Sequence, residues 1–146
     1  MNAYLVFPML AAAGVALVIQ NLLMVRITES VSTVIITLVI NSAMGLALLL
    51  AALLSRNGLA GISETLLAIR PWAVLPGLLG SFFVFAGIMG YQSVGAPATI
   101  AVLVASQLTA GLLANAYKTQ APPSALSLLG AVLLIAGAIL ILRGRA

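Results

Sequence analysis

Five long apolar runs, at residues 4–25, 31–54, 72–91, 96–117 and 124–142, constrain this chain more than any other feature of its sequence. Each is long enough to cross a hydrocarbon core as a helix, which takes about 17 to 25 residues. The spaces between them are short, so little chain is left over for a water-soluble domain. Composition agrees: 64% of residues are apolar and 5% charged, against roughly 25% charged in an average soluble domain. A chain with a mean hydropathy of +1.29 has too few polar side chains to cover a water-facing surface, so lipid is its outer solvent. The runs lack the polar alternation of a β-barrel strand. Helices are then the structures that satisfy every backbone donor and acceptor in lipid. The expected fold is an all-α integral membrane protein, one transmembrane domain of five helices over residues 1–146.

The links carry the punctuation that ends helices. "RITES" joins the first two runs, "SVGAP" the third and fourth, and "KTQAPPS" the last two, its Pro pair blocking continuation. The longest link opens on Asn57-Gly58 as a turn and continues through a weakly amphipathic stretch, 62–69, suited to the membrane surface. Pro71 fits the first turn of the third helix. Tyr4, Trp72, Tyr91 and Tyr117 stand near run ends, where an interfacial aromatic belt would place them. The first run has no positively charged flank of the kind a signal peptide uses, so it reads as a retained span.

Charge excludes some functions and suggests a topology. Six Lys and Arg against two acids give a net charge of +4, but these residues are scattered at the ends of runs rather than gathered in the stripe that nucleic acid needs. Membrane lipid headgroups are their expected partners. With five spans, Arg56, Arg70 and Lys118 share one side and Arg26, Arg143 and Arg145 the other. The positive-inside rule therefore gives no preferred orientation: the tie points to insertion both ways and an antiparallel homodimer, the alternative being that one loop or a partner fixes a single orientation and the tie is accidental. With no Cys and no His there is no disulfide, thiol nucleophile or soft-metal site. The spans also hold no Asp or Glu to act as acid, base or metal ligand, so neither an enzyme nor a cofactor is expected.

Polar residues within the runs are the candidates for function. Thr37, Asn41 and Gly45 recur at four-residue spacing, as do Gln107, Gly111 and Asn115, and such spacing places each set on one helix face. Gln20 and Asn21 lie near the end of the first run, beside Arg26. Amides that deep face protein or a watery cavity, either as interhelical hydrogen-bond glue or as a substrate site. Gln107, Asn41, Gln20 and Asn115 form the candidate site, near mid-membrane, for an unidentified neutral or zwitterionic small molecule. Small residues mark close helix approach: Gly77, Gly80, Gly87 and Gly90 in the third run, and Ala105, Ser106 and Gly111 in the fourth. The fifth run is apolar all round apart from Gly130 and Gly137, which suits dimer packing or the lipid boundary. Arg26 and Glu29 read as a simple interfacial ion pair, the alternative being that Glu29 couples a transport step.

The stretches "PGLLGSFFV", "GAPATIAVLVASQLTAGLLANAYK" and "LLGAVLLIAGAILI" resemble the YdcZ-like family of the drug/metabolite transporter superfamily. The matching positions are Gly77, Gly80, Val84, Gly95, Gln107, Gly130 and Gly137, with Asn21 and Gly45 fitting a weaker N-terminal pattern. Ser106 stands where a Gly usually precedes the Gln, Asn115 where an Asp is common, and Gln92 where a Pro is expected. The resemblance implies five-helix subunits in a bacterial inner membrane, antiparallel homodimers or oppositely oriented paralogue pairs, and a transport role. Neighbouring small multidrug exporters use a membrane-buried Glu; here Glu29 and Glu64 both fall in links.

Overall fold

The computed structural model describes residues 3–144. Arg145, one of the cations in the charge tie, lies outside the described residues. Four helices follow one another: α1 (Ala3–Glu29), α2 (Val34–Ala68), α3 (Val74–Thr119) and α4 (Ala125–Arg143), with a single 3₁₀ turn at Pro71–Ala73 before α3. All four are long and apolar enough to cross a membrane, and no strand occurs among the described residues. Large apolar side chains stand exposed on every helix, such as Leu49 at 71% and Leu140 at 69%. A water-soluble protein rarely exposes apolar surface this continuously.

Two helices contain a break, and both breaks fall on glycines in the links read from the sequence. At 46 residues, α3 would extend about 69 Å as a straight rod, twice the roughly 30 Å of a hydrocarbon core. Gly95, at φ 71° and ψ 168°, divides it into arms at 74–94 and 96–119. An added Cβ on Gly90 would lie 2.6 Å from Thr99 Cγ2. Residues nine apart on a straight helix are separated by about 13 Å along the axis, so the chain doubles back at Gly95. Pro97 begins the second arm without loss, because a first-turn N–H has no intrahelical acceptor. Gly58, at φ 59° and ψ −154°, makes a similar corner in α2, and Gly61 folds back against Leu53 and Asn57.

Several expected boundaries change. The "RITES" segment contains no Gly or Pro, and α1 continues through it to Glu29. Most of the long link is helical as far as Ala68, interrupted at Gly58. The "SVGAP" link shrinks to Gly95 alone, because helix runs up to Val94 and resumes at once. Tyr91, expected in the exposed belt, is 8% exposed; the helix runs past it to the reversal, which leaves it inside rather than at an end. Tyr4, Trp72 and Tyr117 are exposed. Ser124 caps α4, its hydroxyl accepting from the Ser127 N–H.

The chain clusters into two compact units, Met1–Met89 and Gly90–Ala146. In the first, α1 packs along α2. Asn21, 5% exposed on α1, presents Oδ1 to Gly87 of α3, where an added Cβ would come within 3.1 Å. In the second unit Ala98 and Thr99 are buried beside the Gly95 reversal, and Ala131 and Ala138 are buried on α4.

Candidate functional site

The site grows from helical spacing on two neighbouring helices. On α1, Gln20, Met24 and Thr28 recur every four residues and share a face; on α2, Thr37 and Asn41 do the same. The 30–33 link turns α2 back along α1, and the two faces meet. Thr28 donates its hydroxyl to the Met24 carbonyl at 2.8 Å. That uses the only proton of Thr28, so in the 2.9 Å contact between the two hydroxyls Thr37 is the donor. Thr37 is fully buried, and this bond spares it the cost of an unpaired hydroxyl away from water.

Further from the link, two turns along α1 and one along α2, Gln20 Nε2 donates to Asn41 Oδ1 at 3.0 Å and also touches Met24 Sδ at 3.9 Å. Both amides are half-buried and line a groove of about 470 Å³ whose walls include Ala16, Ile19, Leu23, Met24, Ile40 and Met44. The lining contains no ionisable side chain. Asn41 stands seven residues into α2, about 10 Å from its start and short of the midpoint of the stretch before Gly58. Asn21, on the adjacent face of α1, donates Nδ2 to the Leu17 carbonyl at 3.0 Å. It therefore faces Gly87 rather than the groove.

Of the four candidate site residues, Gln20 and Asn41 are brought within hydrogen-bond distance. Gln107 and Asn115 belong to the other unit, where both are exposed on one face of α3 and no hydrogen bond engages either side chain within the described residues. Gly111 between them has open space beside it, as have Gly77, Gly80 and Gly130. Ser106 is exposed and returns its hydroxyl to the Leu103 carbonyl, while Ala105 is half-buried. Gly137, on α4, lines a second groove of about 550 Å³ shared with Pro97, Ile100, Ala101 and Val104 of α3. Arg26 and Glu29 stand exposed in the last turns of α1. Sequence reasoning missed Met24 and Thr28, which continue the Gln20 face, and Thr99, which meets Gly90. The four-residue spacing from Gln20 was the available signal for the first two.

The profile of the family described as "Putative inner membrane exporter, YdcZ" matches residues 5–140, from α1 through α4. The chain belongs to the YdcZ family. It is 49% identical to the inner membrane protein YdcZ of Escherichia coli (strain K12) over 146 residues, 98% of each chain. No solved structure matches it at a significant level. Membership of the YdcZ family and four membrane-length apolar helices make it a multi-pass protein of the bacterial inner membrane. The YdcZ match includes the Gln20–Asn41 pair and the Gly95 reversal.

Proposed function

We propose that this protein exports a neutral or zwitterionic small molecule, with the α1/α2 groove as part of its binding site. The hydrogen-bonded amide pair, set in an otherwise apolar groove of a YdcZ-family chain, carries this reading. Amides inside membrane spans mark solute pathways when they face a cavity. The uncharged lining disfavours an isolated ion, which would lose its hydration without a counter-charge. In cells stripped of their own efflux pumps, the wild-type protein should lower the accumulation of at least one member of a panel of neutral and zwitterionic solutes. Asn41→Leu protein inserted at the same level should not. Equal accumulation with and without the protein across the whole panel would overturn export and favour an accessory or scaffold role.

The subunit we propose is a single transmembrane domain that crosses the membrane five times: by α1, the part of α2 before Gly58, the two arms of α3, and α4. Its working form is an antiparallel homodimer of ten spans. The balanced Lys and Arg distribution supports insertion in both orientations. Gln107 and Asn115 support a partner surface, because exposed amides on one helix face are expensive in lipid. Gly77, Gly80, Gly111 and Gly130, with open space beside them in one chain, offer close approach to a second copy, as does Gly137 on the rim of its groove. Because the chain has no Cys, one Cys appended after Ala146 reports topology directly. A membrane-impermeant maleimide should label about half of it in intact cells and the rest after permeabilisation. Labelling from one side alone would mean a fixed orientation and an oppositely inserted paralogue as partner.

A further inference from the structure

The amide pair leaves one acceptor atom and one donor atom unused. Both hydrogens of Gln20 Nε2 are directed, one to Asn41 Oδ1 and one to Met24 Sδ. The return bond of a closed amide–amide pair, from Asn41 Nδ2 to Gln20 Oε1, is not made within the described residues. Among the described residues no buried side-chain nitrogen or oxygen lacks a partner, so these two atoms are not sealed off, and both side chains line the groove. Gln20 Oε1 accepts and Asn41 Nδ2 donates. We infer that the groove takes a primary carboxamide carried on an apolar body. The ligand N–H would donate to Gln20 Oε1, and Asn41 Nδ2 would donate to the ligand carbonyl, so that the ligand completes the open pair.

The surroundings select the remainder of the molecule. Ile19, Leu23 and Ile40 give apolar walls, and Met24 and Met44 add flexible, polarizable thioethers that favour an aromatic ring. A lone carboxylate or ammonium would meet no opposite charge in the lining. An ester or tertiary amide offers a carbonyl but no N–H, leaving Gln20 Oε1 without a donor in a partly desolvated site. Sites built to pair a donor discriminate strongly against analogues that lack it.

This ligand class rests on the groove assigned above, and the test separates the two. The full chain in lipid nanodiscs of phosphatidylethanolamine and phosphatidylglycerol is dialysed to equilibrium against naphthalene-2-carboxamide, its N,N-dimethyl analogue and methyl naphthalene-2-carboxylate, with empty nanodiscs as the partition control. The carboxamide should bind saturably and at least about tenfold more tightly than either analogue. Asn41→Leu should erase that preference. Wild-type discrimination decides the matter by itself if the variant does not fold. Equal binding of the three compounds, or no saturable carboxamide binding, overturns the inference. A carboxamide that binds with this preference but is not moved across proteoliposomes would sink the export reading while the ligand class stands. Export of other solutes by a protein with no carboxamide preference would do the reverse.

Discussion

Gly95→Ala is expected to remove most of the folded protein recovered in detergent. The native φ of 71° with ψ of 168° lies in a region essentially restricted to glycine, where a side chain costs on the order of 1–3 kcal/mol. The strain falls on the residue that reverses the chain between the two arms of α3. Alanine also favours helix over glycine by about 1 kcal/mol in a helix interior, so the substitution would promote one continuous rod of α3 over the native corner. Gly14→Ala is the matched control: Gly14 lies inside α1 with nothing within 4 Å of an added Cβ, and it should be neutral or slightly stabilising. Monodisperse yield and melting temperature check both. A Gly95→Ala protein as well folded as the Gly14→Ala protein would show that the reversal does not depend on glycine's backbone freedom.

Gly90→Ala should be the next most damaging change, for a different reason. The new methyl would stand 2.6 Å from Thr99 Cγ2, 2.7 Å from its Oγ1 and 3.2 Å from its Cβ. Thr99 has little room to yield, because it is buried and its hydroxyl is bound to the Gly95 carbonyl at 2.8 Å. Its β-branch also restricts χ1. Overpacking of this kind typically costs about 1–3 kcal/mol. Thr99→Ala removes both of the nearest atoms. The Gly90→Ala/Thr99→Ala protein should therefore be more stable than Gly90→Ala alone, with a coupling of roughly 0.5–3 kcal/mol expected for residues in contact. Thermal melts of the four proteins complete the cycle. Additive losses would place the strain elsewhere.

These two positions separate what was legible from what was not. Gly95 lay in "SVGAP", and a glycine closely followed by a proline marks a break where it interrupts an apolar run. Nothing in the sequence joined Gly90 to Thr99, because that contact exists only after the chain has reversed. The same holds at the candidate site. The spacing of Thr37 and Asn41 defined a face of α2, and Gln20 stood out as an amide in an apolar run. Which face of α1 met them was settled by packing, and so was the diversion of neighbouring Asn21 toward Gly87. Tyr91 shows the limit from the other side: its position near a run end suggested an exposed ring, but the helix extends beyond it and it is buried.

By itself the sequence determined the solvent, the helical class and the places where helices break. Those follow from local physics: backbone groups in hydrocarbon must bond within their own helix, and glycine permits the corners at Gly58 and Gly95. Only the tertiary structure decided that Gln20 meets Asn41, that Thr37 donates to Thr28, and that one acceptor and one donor remain open to the groove. Periodicity assigns a residue to a face of its own helix. Which faces meet depends on how whole helices pack, a cooperative outcome that no single run of residues encodes.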